Sequence, residues 1–360
     1  AGHRDVGLTV ELAELPRLGW DATWDAARIA ADPEGAWQPV RIAAEHRGAY
    51  HALGPGGVAW VEVTGRAFHA AGDKRALPTV GDWVLVERWT DAVAGAGAAV
   101  VRTVLPRKSF LVRRAAGEAT APQPLAANVD TGIVMTSANA DLSVARIDRY
   151  VGLLRDGGIA PVLVISKIDL IADPAPLVAE LRSIVDRVMA ISIVSGAGLE
   201  GLRALGAPGA TCVLLGSSGV GKSSLLNAIA GTEQLTRGIR GDARGRHTTT
   251  RRELFVAQAG GLWIDTPGMR ELGQWIEEED ASEVAFDDIA ALAQQCKFRD
   301  CRHRDEPGCA VRSGVAAIRL ASFHKLSDER RAGVTRQSLT QKLAETRKAR
   351  TKKPAPPADE

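Results

Sequence analysis

The chain has 360 residues, 45% hydrophobic and 24% charged, with a formal net charge of +2. This length exceeds one ordinary hydrophobic core, so we expect two or three globular domains. The near-balanced charge means that a nucleic-acid partner has to be inferred from local patches. Because no stretch approaches the roughly 20 apolar residues of a membrane span and no secretory signal is present, we expect a cytoplasmic protein without a membrane partner.

The N-terminal part contains two kinds of sequence. Residues 1–36 are expected to form an extension, because they carry scattered tryptophans without a clear period. Residues 37–110 contain short alternating runs at 57–63 and 83–87, separated by Gly, Pro and Asp. This pattern predicts a small all-β barrel or sandwich.

Residues 120–278 are predicted to form an α/β domain. Helical patterns at 146–155 and 223–230 alternate with short apolar runs, which is typical of buried parallel strands in a doubly wound sheet. The apolar runs are 132–135, 161–165, 188–193, 212–215 and 262–264.

The C-terminal part is predicted to be helical and then disordered. Residues 279–335 are expected to form a small helical domain around a cluster of cysteines. Residues 336–360 contain a basic run followed by a Pro/Ala segment, which indicates a disordered tail.

One segment matches a phosphate-binding loop without a gap. Its glycines let successive backbone N–H groups face phosphate oxygens at the start of a helix. We expect Lys222 to reach the β- and γ-phosphates and Ser223 to hold Mg²⁺. The loop alone leaves ATP and GTP open. Its candidate residues are Gly216, Ser217, Ser218, Gly219, Val220, Gly221, Lys222, Ser223 and the adjoining Ser224.

Two further motifs indicate recognition of guanine. Ser166, Lys167 and Asp169 form a Lys-x-Asp motif after an apolar strand. The Asp169 carboxylate can accept hydrogen bonds from guanine N1–H and its 2-amino group, which adenine does not offer. After the next strand, Ser192 and Ile193 stand where GTPases offer a backbone N–H to guanine O6.

A switch region is predicted downstream of the phosphate loop. Asp265 begins an Asp-x-x-Gly motif in which it would hold Mg²⁺ through water, while the Gly268 N–H would sense the γ-phosphate. Between the two motifs lies a segment, 237–252, with six arginines. Either Thr248 or Thr249 in this segment is expected to coordinate Mg²⁺ while GTP is bound.

The order of these motifs is circularly permuted, because the base motifs precede the phosphate loop. With the segments 127–130, 245–250 and 265–272, this order resembles the RsgA (YjeQ) family, the ribosome small-subunit-dependent GTPases. The resemblance implies an N-terminal OB-fold, a permuted GTPase domain and a C-terminal zinc domain. It also implies late maturation of the small subunit as the task, with GTP hydrolysis stimulated by that subunit. Ser166 and Ile193 depart from the family pattern.

The cysteine cluster predicts one structural metal site. Cys296, Cys301, His303 and Cys309 offer three thiolates and one imidazole, a closed tetrahedral set for Zn²⁺. Free thiols are the alternative. Nearby Lys and Arg residues would make this lobe basic, which suits rRNA phosphates.

Hydrolysis needs a group that orients water. Met269 stands where many GTPases carry a Gln, so intrinsic hydrolysis is expected to be slow. His247 is the candidate for positioning water, a role to which the resembled family also points. Arg246 or Arg244 acting on the transition-state charge is the other option.

Three functional hypotheses follow. The first is a monomeric GTPase that binds GTP or GDP, the small ribosomal subunit and its rRNA. The second is an RNA-binding assembly factor in which GTP is a conformational ligand with negligible turnover. The third is an ATP-using enzyme. The basic series Arg102, Arg107, Lys108, Arg113 and Arg114 is expected either to contact RNA phosphates or to form a solvated linker.

Overall fold

The computed structural model describes residues 15–46, 48–113, 123–138, 142–217, 219–230, 252–258, 260–265, 286–317, 319–321, 323–324 and 327–328. None of the helices within these ranges is long and apolar enough to cross a bilayer.

The first strands close into an OB-fold barrel. Within the described residues they follow the order β1-β2-β3-β5-β4, and β4 returns to pair with β1. The β3–β5 pair is parallel and the other barrel pairs are antiparallel. The inward side chains form the barrel core, because alternate residues of a strand face the same side. The strands are β1 Gln38–His46, β2 Ala49–Gly54, β3 Gly57–Glu62, β4 Trp83–Glu87 and β5 Ala99–Val104.

Short helices accompany the barrel, and of these α3, Trp89–Val93, contributes Trp89 and Ala92 to the barrel core. The described part of the predicted extension is packed against the protein, since Leu18 is fully buried and Trp24 is 3% exposed. Trp20 meets Trp83 edge-on at 4.7 Å between ring centroids. Residues 15–31 therefore belong to the folded core, which their aperiodic sequence did not indicate. The helices are α1 Ala22–Ala31, α2 Gly65–Ala70 and α3 Trp89–Val93.

The strands of the predicted α/β domain continue the barrel sheet, because β12 pairs antiparallel with β1 through Glu253 and Ala44. The strand order within this domain is β10-β9-β8-β11-β13-β12, and only β12 runs antiparallel to its neighbour among the described strands. A separate pair, β6–β7, leads into it from the barrel. The strands are β6 Phe110–Arg113, β7 Gln123–Ala127, β8 Thr131–Ser137, β9 Ala160–Ser166, β10 Val188–Ala190, β11 Thr211–Gly216, β12 Glu253–Val256 and β13 Leu262–Asp265.

The predicted apolar runs are continuous because both faces of this sheet are covered. In β9, Leu163 and Ile165 join one core cluster, while Val162 and Val164 join the cluster on the opposite face. Cys212 lies fully buried in β11, as expected for a core residue, and burial raises the pKa of its thiol to about 12. The domain helices are α4 Val144–Asp156, α5 Ala175–Leu181, α6 Leu199–Arg203 and α7 Lys222–Ala230.

The C-terminal lobe contains α8 Asp287–Ala293 and α9 Ala310–Gly314 around the cysteine cluster. It docks on the α/β domain through Arg319, which is 5% exposed. The guanidinium pairs with Asp148 of α4 and with Asp288 of the lobe, the latter at 2.9 Å. A buried ion pair therefore joins the lobe to the larger domain.

The barrel and the α/β domain meet around Arg41, which is 2% exposed. Its guanidinium donates to the carbonyl oxygens of Leu18 and Asn128 and, at 2.8 Å, to Thr211 Oγ1. Burial lowers the pKa of Arg41 to about 10, which leaves it charged at neutral pH. Since Thr211 begins the strand that leads to the phosphate loop, Arg41 ties that strand to the barrel.

Candidate nucleotide site and metal centre

The phosphate loop follows β11 and opens α7. Gly216 has φ +145°, and a Cβ there would lie 2.5 Å from the Met135 carbonyl oxygen. Gly221, with φ +101°, also lies in the left-handed region that favours glycine. Lys222 Nζ donates to the carbonyl oxygens of Gly216 and Ser217 at 2.6 and 2.7 Å. The ammonium group is thus held over the loop, where a bound phosphate would meet it.

The Lys-x-Asp motif contacts this loop directly. Ser166 is 1% exposed, and its hydroxyl lies 2.7 Å from the Val220 carbonyl oxygen and 3.0 Å from that of Thr136. Lys167 Nζ donates to the Gly219 carbonyl oxygen at 2.8 Å. Although Ser166 departs from the asparagine of the family pattern, its shorter side chain keeps a contact with the phosphate loop.

The two base motifs also meet each other. Ser192 is fully buried, and its hydroxyl donates to Asp169 Oδ1 at 2.5 Å. The Ser195 backbone N–H donates to the same hydroxyl at 3.2 Å. Ile193 packs at the loop, with its Cδ1 3.6 Å from the position of a Cβ on Gly221. Ser192 therefore orients the carboxylate proposed to read guanine.

The two Mg²⁺ candidates within the described residues, Ser223 and Asp265, lie at one edge of the sheet. Asp265 ends β13 in register with Leu214 of β11, two residues before the loop begins. Ser223 lies in the first turn of α7, next to Lys222 and followed by Ser224. The carboxyl ends of parallel strands share one edge, which is where α/β proteins bind ligands.

Several predicted residues lie outside the described residues. They comprise one loop serine, the candidate water-positioning histidine, the threonines and arginines of the switch segment, and the end of the Asp-x-x-Gly motif. These residues are Ser218, His247, Thr248, Thr249, Arg244, Arg246, Gly268 and Met269.

The cysteine cluster brings its four predicted ligands together. The ligand atoms of Cys296, Cys301, His303 and Cys309 all lie within 4.8 Å of one another. His303 Nδ1 lies 3.6 Å from Cys296 Sγ and 3.5 Å from Cys309 Sγ, and these two sulfurs are 3.9 Å apart. The Arg312 backbone N–H donates to Cys309 Sγ at 3.3 Å. Hydrogen bonds from backbone N–H groups, that of Val311 foremost, lower the pKa of Cys296.

These distances fit a tetrahedral zinc ion. With Zn–S of about 2.3 Å and Zn–N of about 2.0–2.1 Å, tetrahedral angles place sulfurs about 3.8 Å apart and sulfur about 3.6 Å from nitrogen. The three distances among Cys296, His303 and Cys309 agree with these values, and the Cys301 ligand atom lies within 4.8 Å of the other three. Three thiolates and one imidazole could hold a metal ion with a closed tetrahedral set of ligands, the arrangement typical of structural centres.

Much of the basic series at the barrel exit is engaged within the protein. Arg107 pairs with the fully buried Asp82 at 2.7 Å, and Arg102 pairs with Glu87. Lys108 pairs with Asp21 of the N-terminal segment at 2.6 Å. The phosphate contact that we considered for this series therefore competes with internal ion pairs. Arg114 lies outside the described residues.

Sequence reasoning missed the residues that join the domains. Arg41 and Arg319 are buried cations whose partners are up to 171 residues away in the chain. Asn128, by contrast, belongs to a segment that carried the family resemblance. It has φ +56°, donates from Nδ2 to the Gly81 carbonyl oxygen at 3.1 Å, and accepts from the Lys108 N–H at 2.9 Å. The presence of Asn128 in that segment was therefore the sequence signal that could have indicated the junction between the domains.

Comparisons with known proteins agree with this geometry. A family model described as RsgA GTPase matches residues 104–275. The small ribosomal subunit biogenesis GTPase RsgA of Opitutus terrae is 44% identical over 279 residues, covering 74% of this chain and 76% of that protein. The crystal structure of YjeQ from Thermotoga maritima matches with a TM-score of 0.56 and 26% identity, covering 81% of this chain and 97% of that one. YloQ, described as a circularly permuted GTPase, matches with a TM-score of 0.55 and 26% identity, covering 82% and 96%.

Proposed function

The chain belongs to the RsgA GTPase family, and on that premise we propose how it acts as a GTPase in the biogenesis of the small ribosomal subunit. The observation that carries the proposal is the contact between the base motif and the phosphate loop. Although they lie more than 50 residues apart in permuted order, Ser166 and Lys167 both reach carbonyl oxygens of the loop. One nucleotide can therefore bridge Asp169 and Lys222.

In this proposal the described residues hold the nucleotide at both ends. Asp169, oriented by Ser192, accepts from guanine, and the Ile193 backbone faces guanine O6. The loop N–H groups and Lys222 bind the phosphates. Ser223 and Asp265 would hold Mg²⁺ together with Thr248 or Thr249, and the ion would supply positive charge beside the phosphate oxygens. The Gly268 N–H senses the γ-phosphate.

We infer that His247 orients the attacking water. Met269 has no hydrogen-bonding group that matches the usual Gln, so the free protein hydrolyses GTP slowly. Docking on the subunit would bring His247 of the arginine-rich segment towards the γ-phosphate. The alternative, an assembly factor with negligible turnover, fits membership of a GTPase family less well.

The zinc centre and the cellular setting complete the proposal. Cys296, Cys301, His303 and Cys309 hold one structural Zn²⁺, and the lobe around it presents Lys and Arg side chains to rRNA phosphates. The protein acts in the cytoplasm, where reduced thiolates persist. It acts as a monomer, since one chain supplies both ends of the nucleotide site.

The test is phosphate release from GTP and from ATP, with and without small ribosomal subunits. We expect strong stimulation by the subunit with GTP only. His247→Ala should lower the stimulated rate by about 100-fold, the lower end for a positioned acid–base group, while GTP binding stays unchanged.

The matched control is His69→Ala, which removes an exposed histidine of the barrel. It should leave stimulated turnover intact. If His247→Ala hydrolysed GTP on the subunit as fast as the wild type, the assigned role of His247 would be wrong. ATP turnover at the same rate would contradict the role of Asp169.

A further inference from the structure

A cleft between the barrel and the GTPase domain has no role in the function described so far. Its volume is about 330 Å³. Glu45 and Tyr50 line it from the β1–β2 hairpin, and Phe68 and Lys74 from the segment after β3. The GTPase domain supplies Gln123 and Arg252. The cleft is therefore built by both domains at their junction.

The walls of the cleft offer groups without internal partners. Phe68 is 50% exposed, which is unusual for a large aromatic side chain beside a cavity. The Lys74 side chain is exposed, and its ammonium group forms no hydrogen bond or ion pair with the described residues. The buried Thr79 hydroxyl, also part of the lining, has no hydrogen-bond partner within the same ranges. An aromatic ring, an ammonium group and a hydroxyl group are therefore available to bind a ligand in the cleft.

These groups match the parts of a single unpaired nucleotide. An exposed aromatic ring stacks on any base, at about 1–3 kcal/mol per base. The Gln123 amide and the Glu45 carboxylate can pair with donors on the edge of the base. Lys74 and Arg252 supply positive charge for the adjoining phosphates. The volume lies at the small end of ligand pockets, about 300–1,000 Å³, and it suits one base but no duplex.

The charges favour an RNA strand over a free nucleotide. The cleft combines the two cations with the Glu45 carboxylate. A free nucleoside polyphosphate would bring several negative charges beside Glu45, whereas an RNA strand brings one per nucleotide. We propose that this cleft captures one unpaired nucleotide of an RNA strand, with its base stacked on Phe68 and its phosphate at Lys74 and Arg252.

The cleft also adjoins the switch region. Arg252 closes the arginine-rich segment and donates to the Pro124 carbonyl oxygen of β7. The next residue, Glu253, pairs in register with Asp265, the proposed Mg²⁺ ligand. RNA in the cleft therefore contacts the strand that leads to the switch. This inference rests on the proposed function only in that the small ribosomal subunit would supply the RNA.

The experiment is fluorescence anisotropy with 5′-labelled single-stranded RNA decamers of each base, with saturating GDP in the nucleotide site. Phe68→Ala should weaken binding about 5- to 140-fold, from the loss of one stacked base. Lys74→Ala should also weaken binding and should reduce the salt dependence of log K by about 0.7, the slope for one single-strand phosphate. Both side chains are exposed, so both variants should fold.

Two variants serve as matched controls. Arg66→Ala removes an exposed cation from the same helix as Phe68, outside the cleft lining, and should retain wild-type affinity. Trp60→Ala removes an aromatic ring that is 44% exposed on the outer face of β3. A loss with Trp60→Ala but none with Phe68→Ala would overturn the proposal, as would wild-type binding weaker than about 100 µM, the weak limit of non-specific association.

Competition experiments with the labelled decamer distinguish an RNA strand from a free nucleotide as the ligand of the cleft. Duplex RNA should not displace the decamer from the cleft, whereas unlabelled single strands should. Displacement by GMP at the same concentration as the strand would identify a free nucleotide and overturn the RNA assignment. Subunit-stimulated phosphate release tests the proposed function independently. If the subunit fails to stimulate the wild type but Phe68→Ala still loses decamer binding, the proposed function fails and the RNA cleft stands. If the subunit stimulates the wild type but Phe68→Ala binds the decamer normally, the RNA cleft fails and the proposed function stands.

Discussion

Exchanging one carboxylate for an amide should reverse the base specificity of the nucleotide site. In the structure, Asp169 Oδ1 accepts from the buried Ser192 hydroxyl at 2.5 Å, which orients the side chain before any base arrives. In Asp169→Asn, the amide oxygen can keep this bond, and the NH₂ group then faces the two donors of guanine. The loss of two charge-assisted hydrogen bonds, each about 1.5–3 kcal/mol, predicts a 10²- to 10⁴-fold weaker affinity, at about 1.4 kcal/mol per tenfold.

The same variant should gain affinity for xanthine nucleotides. Xanthine carries a carbonyl oxygen where guanine has its amino group, so the new amide can donate to it. Equilibrium binding of fluorescent GDP, XDP and ADP should show that the variant prefers XDP. The control Asp173→Asn removes the same charge from an exposed aspartate in the segment between the base motif and α5. Unchanged GDP affinity in Asp169→Asn, without a gain for XDP, would refute the assignment of the base site.

Three further predictions concern stability and metal content. Arg41→Met leaves buried carbonyl oxygens without their donor and should lower the free energy of unfolding in urea by about 3 kcal/mol. Arg102→Met breaks an exposed pair and should cost under about 1 kcal/mol, so equal losses would contradict the bridging role of Arg41. Cys309→Ser should reduce the bound zinc from one ion per chain to a fraction, as measured by mass spectrometry after dialysis. The control Cys212→Ala should keep one zinc ion per chain. Retention of zinc in Cys309→Ser would exclude this ligand set. Arg319→Met leaves carboxylates on both sides of the lobe junction without their cation, and limited proteolysis should then release the zinc lobe sooner; an unchanged rate would show that the ion pair does not hold the lobe.

The sequence alone was sufficient for features with a short-range physical cause. The glycines and Lys222 of the phosphate loop act within eight residues, and the ligands Cys296 to Cys309 lie within fourteen. The continuous apolar runs follow from burial of both faces of a parallel sheet. They predicted β8, β9, β10, β11 and β13 to within a few residues, whereas β12 was not predicted. The longest deviation is at 188–193, where the strand ends at Ala190 because the chain turns to place Ser192 at Asp169. The domain limits at 37–110, 120–278 and 279–335 stay predictions.

Only the tertiary structure decided how the parts are joined. The Ser166 contact with Val220, the Arg41 contact with Thr211 and the Arg319 contact with Asp148 connect residues 54, 170 and 171 positions apart. No local period marks such pairs, because hydrophobic patterning reports which face of an element is buried and not which polar group it meets there. The barrel exit shows the same limit: its basic residues look like an RNA contact in the sequence, yet Arg107 lies against the buried Asp82. A charged side chain on its own is compatible with solvent, RNA or an internal partner, and only the closure of the barrel against the GTPase domain selects among them.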